Sequence, residues 1–344
     1  MKSLAIIGAS YLQLPLVEKA KEMGLRTICF AWPKGAVCKD VCDVFYPVSI
    51  VEQDEILRLC RAEQIDGICT IGSDVAAPTV AYVAERMGLP GNSYTAAGQA
   101  HDKQQMHRIL TGAGVDCPMS NVQYPISNLQ LPLIVKPTDR SGSLGVQKVE
   151  RIEDLEPAIE NARALSLVGQ VLVEEYIEGR EISVETISQH GHHYALQITD
   201  KTTTGAPHFV ELAHHQPSTL PADVQERVFA ITFKALDALG ITHGAAHSEY
   251  RITDSGRIVV MEIAGRMGGD FIGSHLVPLS TGYDFLKGVI EVALGEPIHV
   301  EVKPLGRSSV VFDAPENLTC SADRIGYTIY QNDEIQSLGR STDL

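Results

Sequence analysis

Two glutamates stand in otherwise apolar stretches: Glu249 in His247-Ser-Glu-Tyr-Arg-Ile252 and Glu262 in Val259-Val-Met-Glu-Ile263. The polar stretch Asp254-Ser-Gly256 between them reads as a hairpin turn, which sets the two carboxylates opposite each other on one side of a sheet. Carboxylates that close repel unless a cation or a proton lies between them, and Mg²⁺ shared with a polyphosphate meets that need. A solvated face carrying both glutamates is the alternative. Arg266 follows Gly265 and precedes Gly268-Gly-Asp270, so it projects from a loop beside the pair. A guanidinium there can bind a carboxylate or the charge of an acyl phosphate.

A second set of residues suits phosphate. Lys136 lies on the strand Leu133-Ile-Val-Lys-Pro137, where a buried lysine is costly without an anion. The loop that follows holds Ser141, Gly142, Ser143 and Gly145; glycines let backbone N–H groups approach phosphate oxygens and the hydroxyls add donors. It lacks the Gly-Lys-Ser/Thr of a Walker loop and reads equally as a hairpin turn. Lys103, on the first turn of a helix, is a weaker candidate that a solvated position would also explain. For a nucleoside, the strand end Glu174-Glu175-Tyr176-Ile177 offers main-chain groups to a base edge and an aromatic ring to stack, and Glu181 offers a carboxylate to ribose hydroxyls. His190-Gly-His-His193 reads as a turn, while His214, His215 and His247 are candidates for substrate contact.

The elements that must position these groups alternate in type. Residues 1–95 alternate short apolar strands (Leu4–Ile7, Thr27–Phe30, Val44–Val48, Gly67–Ile71) with helical patterns, which predicts a parallel sheet with ligands beyond its carboxyl ends, near Gly8–Ser10 and Gly72–Asp74. The loop after the first strand lacks the second and third glycines of a dinucleotide fingerprint. Residues 96–110 read as a connecting helix and 111–177 as a small α+β lobe. Residues 178–300 read as antiparallel strands with a long helix, Asp223–Leu239, and 301–344 as a small β-rich tail that covers an acceptor site or mediates homodimerisation.

Composition narrows the class. The 344 residues are 44% hydrophobic and carry a net charge of −15, with no basic run interleaved with aromatics, so a nucleic-acid partner is not expected. No apolar span is long enough for a bilayer and no leader is evident, which leads to the expectation of a cytoplasmic protein without a membrane partner. Seven cysteines, an odd number mostly in apolar strand-like contexts, read as free thiols.

Taken in order, Asp102-Lys103, Lys136-Pro137, the Ser-Gly-Ser-Leu-Gly loop, Glu174–Ile177 with Glu181, Glu249 and Glu262-x-x-x-Arg266 resemble the ATP-grasp superfamily over roughly residues 1–300. Within it, Glu262-Ile-Ala-Gly-Arg-Met-Gly-Gly-Asp270 resembles carboxylate–amine ligases of the L-amino-acid ligase type. The resemblance implies an α/β architecture: a Rossmann-like pre-ATP-grasp domain, then a two-lobed α+β ATP-grasp domain with a mobile lid. It implies ATP as nucleotide, Mg²⁺ (alternatively Mn²⁺) on Glu249 and Glu262, and phosphates on Lys103 and Lys136. The main chain of Glu175 and Ile177 would then read adenine, and Glu181 the ribose. The implied reaction joins a small-molecule carboxylate to an amine through an acyl phosphate, with Lys136 and Arg266 assisting and ADP and phosphate released. One position departs from the family: its usual Glu-x-Asn is Glu262-x-Ala264 here, which bears on a second metal. The alternatives are a carboxylase-like enzyme using carboxyphosphate and a non-catalytic ATP-binding module.

Overall fold

The computed structural model describes residues 1–121 and 130–340. Residues 122–129 of the small lobe and 341–344 of the tail lie outside the described residues. The N-terminal unit is a parallel sheet of β1 (Ser3–Ile7), β2 (Arg26–Phe30), β3 (Val44–Tyr46) and β4 (Gly67–Cys69), in the order β3-β2-β1-β4. Its helices are α1 (Leu14–Glu22), α2 (Gln53–Glu63) and α3 (Ala77–Met87). The alternation along β1 divides its burial. Ala5 and Ile7 enter the core under α2 and α3, while Leu4 and Ile6 enter a second core with α1. All four are fully buried, each large one being worth about 1.5–3 kcal/mol.

Two helices follow where the sequence predicts one: α4 (Tyr94–His101) and α5 (Lys103–Gly112). Asp102 divides them because its backbone is extended and its carboxylate caps α5, accepting from the Gln105 N–H at 2.9 Å. This cap places Lys103 at the first position of α5.

The small lobe is an antiparallel sheet of β5 (Ser120–Asn121), β6 (Leu133–Pro137), β7 (Gln147–Val149) and β8 (Val171–Glu175), covered on one face by α6 (Leu155–Leu165). Leu133, Val135 and Val173 pack under α6, so period two turns Ile134, Lys136 and Glu174 to the other face.

The rest of the chain builds one eight-stranded antiparallel sheet. It comprises β9 (Arg180–Gln189), β10 (His192–Thr203), β11 (Glu211–Gln216), β12 (Gly244–Ile252), β13 (Ile258–Ala264), β14 (Ser308–Asp313), β15 (Gly326–Gln331) and β16 (Glu334–Arg340), ordered β13-β12-β9-β10-β11-β14-β15-β16. The tail strands therefore extend the large sheet through β11–β14 pairing. On one face α7 (Ala222–Leu239) buries Ile182, Val184, Tyr250 and Val260. After β13 come a wide turn over Ile272–Leu276, α8 (Val277–Thr281) and α9 (Phe285–Ala293), whose Phe285 and Ile290 join the N-terminal core beside α1. Among the described residues no helix is long and apolar enough to cross a membrane.

Candidate functional site

The part of the large sheet's second face that α8, α9 and the N-terminal unit leave open looks across a cleft of about 470 Å³ at the face of the small sheet opposite α6. The loops beyond β1 and β4 (Tyr11, Leu12, Gly72, Asp74) close one end, together with tail residues Ser321 and Arg324. A parallel bridge between Ile71 and Met267, with Gly72 N–H donating to Met267 C=O at 3.0 Å, ties the N-terminal sheet to the turn after β13.

Register explains how the two glutamates meet. Glu249 and Glu262 lie directly opposite each other, yet Tyr250 pairs with Val260, so Met261 is an extra residue in β13. This bulge reverses the alternation: Val260 enters the core, and Glu262, two residues on, faces the cleft with Glu249. The same face carries Glu181 and Glu185 of β9, Lys201 of β10, and His247 and Arg251 of β12, with Glu185 opposite His247 and Glu181 opposite Arg251.

Each metal-candidate carboxylate is held by a lysine. Lys103 Nζ donates to Glu262 Oε1 at 2.9 Å and to the Arg140 carbonyl at 2.8 Å. Burial disfavours the Lys103 charge, but Glu262 and Asp74 outweigh it and raise its pKa. Lys201 Nζ lies 2.8 Å from Glu249, 3.2 Å from Glu181 and 3.3 Å from Glu211. Again burial opposes the charge and the carboxylates win, raising Lys201 well above its usual value. Glu249 moves the opposite way, held well below the carboxylate range against its burial by Lys201 and His247. Two hard oxygen donors facing each other fit Mg²⁺, which commonly takes one or two protein carboxylates and completes its shell with phosphate and water. Among the described residues no group of three or more His, Cys, Asp or Glu side chains is disposed to hold an ion by itself.

The lid side brings Lys136, Ser141, Gly142 and Ser143 into the same cleft. Lys136 Nζ sits 2.6 Å from Glu174 Oε1, and Glu174 is fully buried beside His107. Glu174 therefore holds the lysine in place rather than reaching outward. Gly142, Ser143 and Gly145 all have positive φ (+65°, +60°, +76°), which curls the loop; a Cβ on Gly145 would press on Pro137 and Leu165 at 3.1 Å. Gly145 itself does not line the cleft, and neither does Glu175. The Glu175 N–H donates to the Met119 carbonyl at 2.9 Å, and its carboxylate pairs with Arg257 at 3.1 Å. Tyr176 and Ile177 do line the cleft, although the Ile177 carbonyl accepts from Arg251 at 2.9 Å. Tyr176 lies 5.9 Å from Phe209, and the cations of Lys148 and Arg251 stand 4.4 Å and 5.5 Å from its ring. Glu181 joins Lys201 and Arg251, the latter at 2.9 Å.

Arg266 reaches the cleft wall as the glycine context suggests, but its guanidinium is bound by Asp74, with Nη2 2.6 Å and Nε 2.7 Å from one oxygen. Burial works against both charges, and their mutual attraction outweighs it, raising Arg266 and lowering Asp74. His247 donates toward Glu249 at 3.2 Å and forms a short hydrogen bond with the fully buried Glu185, which also accepts from the Gly268 N–H at 3.0 Å. Despite burial, Glu185 raises His247 to about 9, so the imidazole is a cation at neutral pH.

Lys201, Glu185 and Arg251 escaped the reading of the sequence, as did the partner of Asp74, whose turn Gly72–Asp74 was expected to meet ligand and does line the cleft. For Lys201 the signal was present: β10 continues past Ile198 to Thr203, and on a longer strand Lys201 falls on the face of Thr199. For the Asp74–Arg266 pairing there was none, because Arg266 follows a strand of a different sheet. The His190-Gly-His-His193 segment forms the β9–β10 turn, with His190 and Gly191 at φ +52° and +77°, outside the cleft.

Residues 129–274 match the family described as the ATP-grasp domain. The alanine–anticapsin ligase of Bacillus subtilis is 26% identical over 254 residues, covering 65% of this chain and 52% of that protein. A D-alanine–D-alanine ligase of Cupriavidus metallidurans is 27% identical over 218 residues, covering 59% of this chain and 65% of that one. The crystal structure of an L-amino acid ligase from Bacillus licheniformis aligns with a TM-score of 0.80 at 27% identity, over 92% of this chain and 81% of that one. The chain spans about half the length of the first of these curated relatives.

Proposed function

We propose that this chain, whose residues 129–274 match the ATP-grasp domain family, is an ADP-forming carboxylate–amine ligase that joins amino acids. The observation that carries the reading is the convergence of Lys103, Lys136, Lys201, Glu249, Glu262 and Arg266 on one cleft from two sheets, the start of α5 and the turn after β13. The similarity to ligases named for alanine and other amino acids supports the substrate class.

In this reading the adenine lies by Tyr176 and Ile177, and the phosphates run beneath loop 138–146 toward the facing glutamates. Lys103, Lys136 and Lys201 exchange their carboxylate partners for phosphate oxygens. Bound between Glu249 and Glu262, Mg²⁺ would neutralise charge on the transferring phosphoryl group. The substrate carboxylate oxygen attacks the γ-phosphorus, the bond to the β-phosphate oxygen breaks, and ADP leaves. The second substrate's amine then attacks the acyl carbon, forming the amide as inorganic phosphate departs and the nitrogen gives up its proton. Arg266 faces the carbonyl oxygen as charge develops there. The loop keeps water from the acyl phosphate through contacts already present: Ser143 Oγ donates to Phe209 C=O at 3.0 Å, and Ser321 N–H to Gly142 C=O at 3.2 Å.

Ala264 favours one competing reading, a module that binds ATP without turning it over, since it lines the cleft where the family has asparagine. ADP release with Mg²⁺-ATP and pooled amino acids separates the two. Release that depends on amino acids and yields peptide supports the ligase. Tight ATP binding with no release on any pool supports the module, and release that depends on bicarbonate supports a carboxyphosphate enzyme.

A further inference from the structure

Beyond the lysines and the facing glutamates, the cleft ends in a wall with two ion pairs, Arg266–Asp74 and Arg324–Asp270, of which Asp74 and Arg324 are buried and their partners half-buried. The second pair has no part in the reading above. Arg324 comes from the tail just before β15 and is 3% exposed. Its terminal nitrogens donate to both oxygens of Asp270 at 2.7 Å, and its Nε donates to the Ser321 carbonyl at 3.0 Å. The ring of Phe312, 3.8 Å away, fixes the guanidinium plane. Three of the five N–H groups are thus committed, and the Tyr11 phenol lies against the guanidinium as a further partner, which leaves at least one terminal N–H for a ligand.

Asp270 sits in an unusual backbone. It has φ +50° and Phe271 has φ +63°, two side-chain-bearing residues in succession in the left-handed region. Such conformations cost on the order of 1–3 kcal/mol each and concentrate at functional sites. His214, 3.4 Å from Asp270, and the Tyr11 phenol complete the surroundings of the pair. A buried ion pair is a weak source of stability, so stability alone does not account for it.

A ligase that joins two amino acids must tell them apart, since each carries a carboxylate and an amine. The carboxylate of the amine donor has to be kept from the γ-phosphate while its nitrogen is presented to the acyl carbon. That calls for a second cation away from the phosphate cluster. Arg266 shares its surroundings with Glu262, whereas Arg324 faces Asp270, Tyr11 and Glu211. We propose that Arg324, held by Asp270, binds the α-carboxylate of the amine-donating amino acid and so selects free amino acids as acceptors. Asp270 is then a positioning residue and Arg324 the specificity contact. The proposal rests on the ligase reading.

The test measures ADP release by the full chain with Mg²⁺-ATP, a donor amino acid, and either a free acceptor amino acid or its α-carboxamide. In the wild type the carboxamide should have a KM about 30-fold or more above that of the free acid, with kcat within about threefold. Arg324→Gln should bring the free-acid KM up to the carboxamide value and leave the carboxamide KM and the ATP KM within about threefold. Arg324→Lys, which keeps charge without the fork, should recover part of the discrimination. Equal KM values for the two acceptors in the wild type overturn the proposal without any variant. An equal loss on both acceptors in Arg324→Gln also overturns it, because it marks a structural role. Absence of ADP release with every amino-acid pair removes the ligase reading and this proposal together; turnover indifferent to the carboxamide removes only the subsite.

Discussion

Glu262 illustrates how a single residue here serves two partners. Its carboxylate holds Lys103 at 2.9 Å and faces Glu249 across the hairpin. Glu262→Gln keeps the shape and removes the charge, so kcat for ADP release should fall about 100-fold or more with the circular dichroism spectrum unchanged, while melting temperature drops because buried Lys103 loses an ion partner. His247 makes a prediction about pH. Its pKa rises from 6.5 to about 9 because the Glu185 carboxylate outweighs its burial. A pKa raised on folding strengthens the fold fully below pH 6.5, and the contribution fades as the pH climbs through about 9. The difference corresponds to ~3 kcal/mol. Urea unfolding followed from about pH 6 to pH 9.5 should show that loss in the wild type and little of it in Glu185→Gln, where the ion partner is gone. At this scale residue types were legible from sequence: a strand lysine, a hairpin pair of glutamates and an arginine between glycines all line the cleft. Their partners were not, since Lys103–Glu262 and Arg266–Asp74 span long stretches of chain.

The element that decides most is β13. Strict alternation along Val259-Val-Met-Glu-Ile263 would send Val260 and Glu262 to the same face; the bulge at Met261 separates them. The turn that follows is equally constrained. A Cβ on Gly268 would lie 2.8 Å from His247 Nδ1 and closer still to Glu185. Gly268→Ala should therefore push the Glu185–His247 pair apart, lowering melting temperature and kcat together, and its pH–stability profile should approach that of Glu185→Gln. An alanine variant with wild-type profiles would show that the turn yields and the pair does not depend on it. The split of the expected connecting helix at Asp102 has a similar local cause, a carboxylate that caps α5 more favourably than it continues α4. The composition offered that signal, because Asp before Lys-Gln-Gln is a helix-start pattern.

Taken whole, the molecule gathers charge from two sheets, a helix and the loops between them into a cleft whose charges pair with one another: lysines hold the carboxylates and Asp74 holds Arg266. Mg²⁺-ATP that engages all of these groups should stabilise the fold cooperatively, by about 2.7 kcal/mol at a hundredfold excess over its Kd. Denaturant unfolding with and without Mg²⁺-ATP checks this, and Glu262→Gln should abolish most of the gain. A gain of the same size in that variant would place the nucleotide elsewhere. The sequence by itself determined the local grammar: strand–helix alternation at the start, antiparallel pairs later, and the residue types that can handle phosphate and metal. Those follow from periodicity and side-chain chemistry, which act over a few residues. The tertiary structure alone decided which face each group occupies and which charge answers it. Strand order, one bulged residue and the packing of loops from separate sheets set distances between groups far apart in the chain, and a buried charge is tolerated only where such a distance brings it a partner.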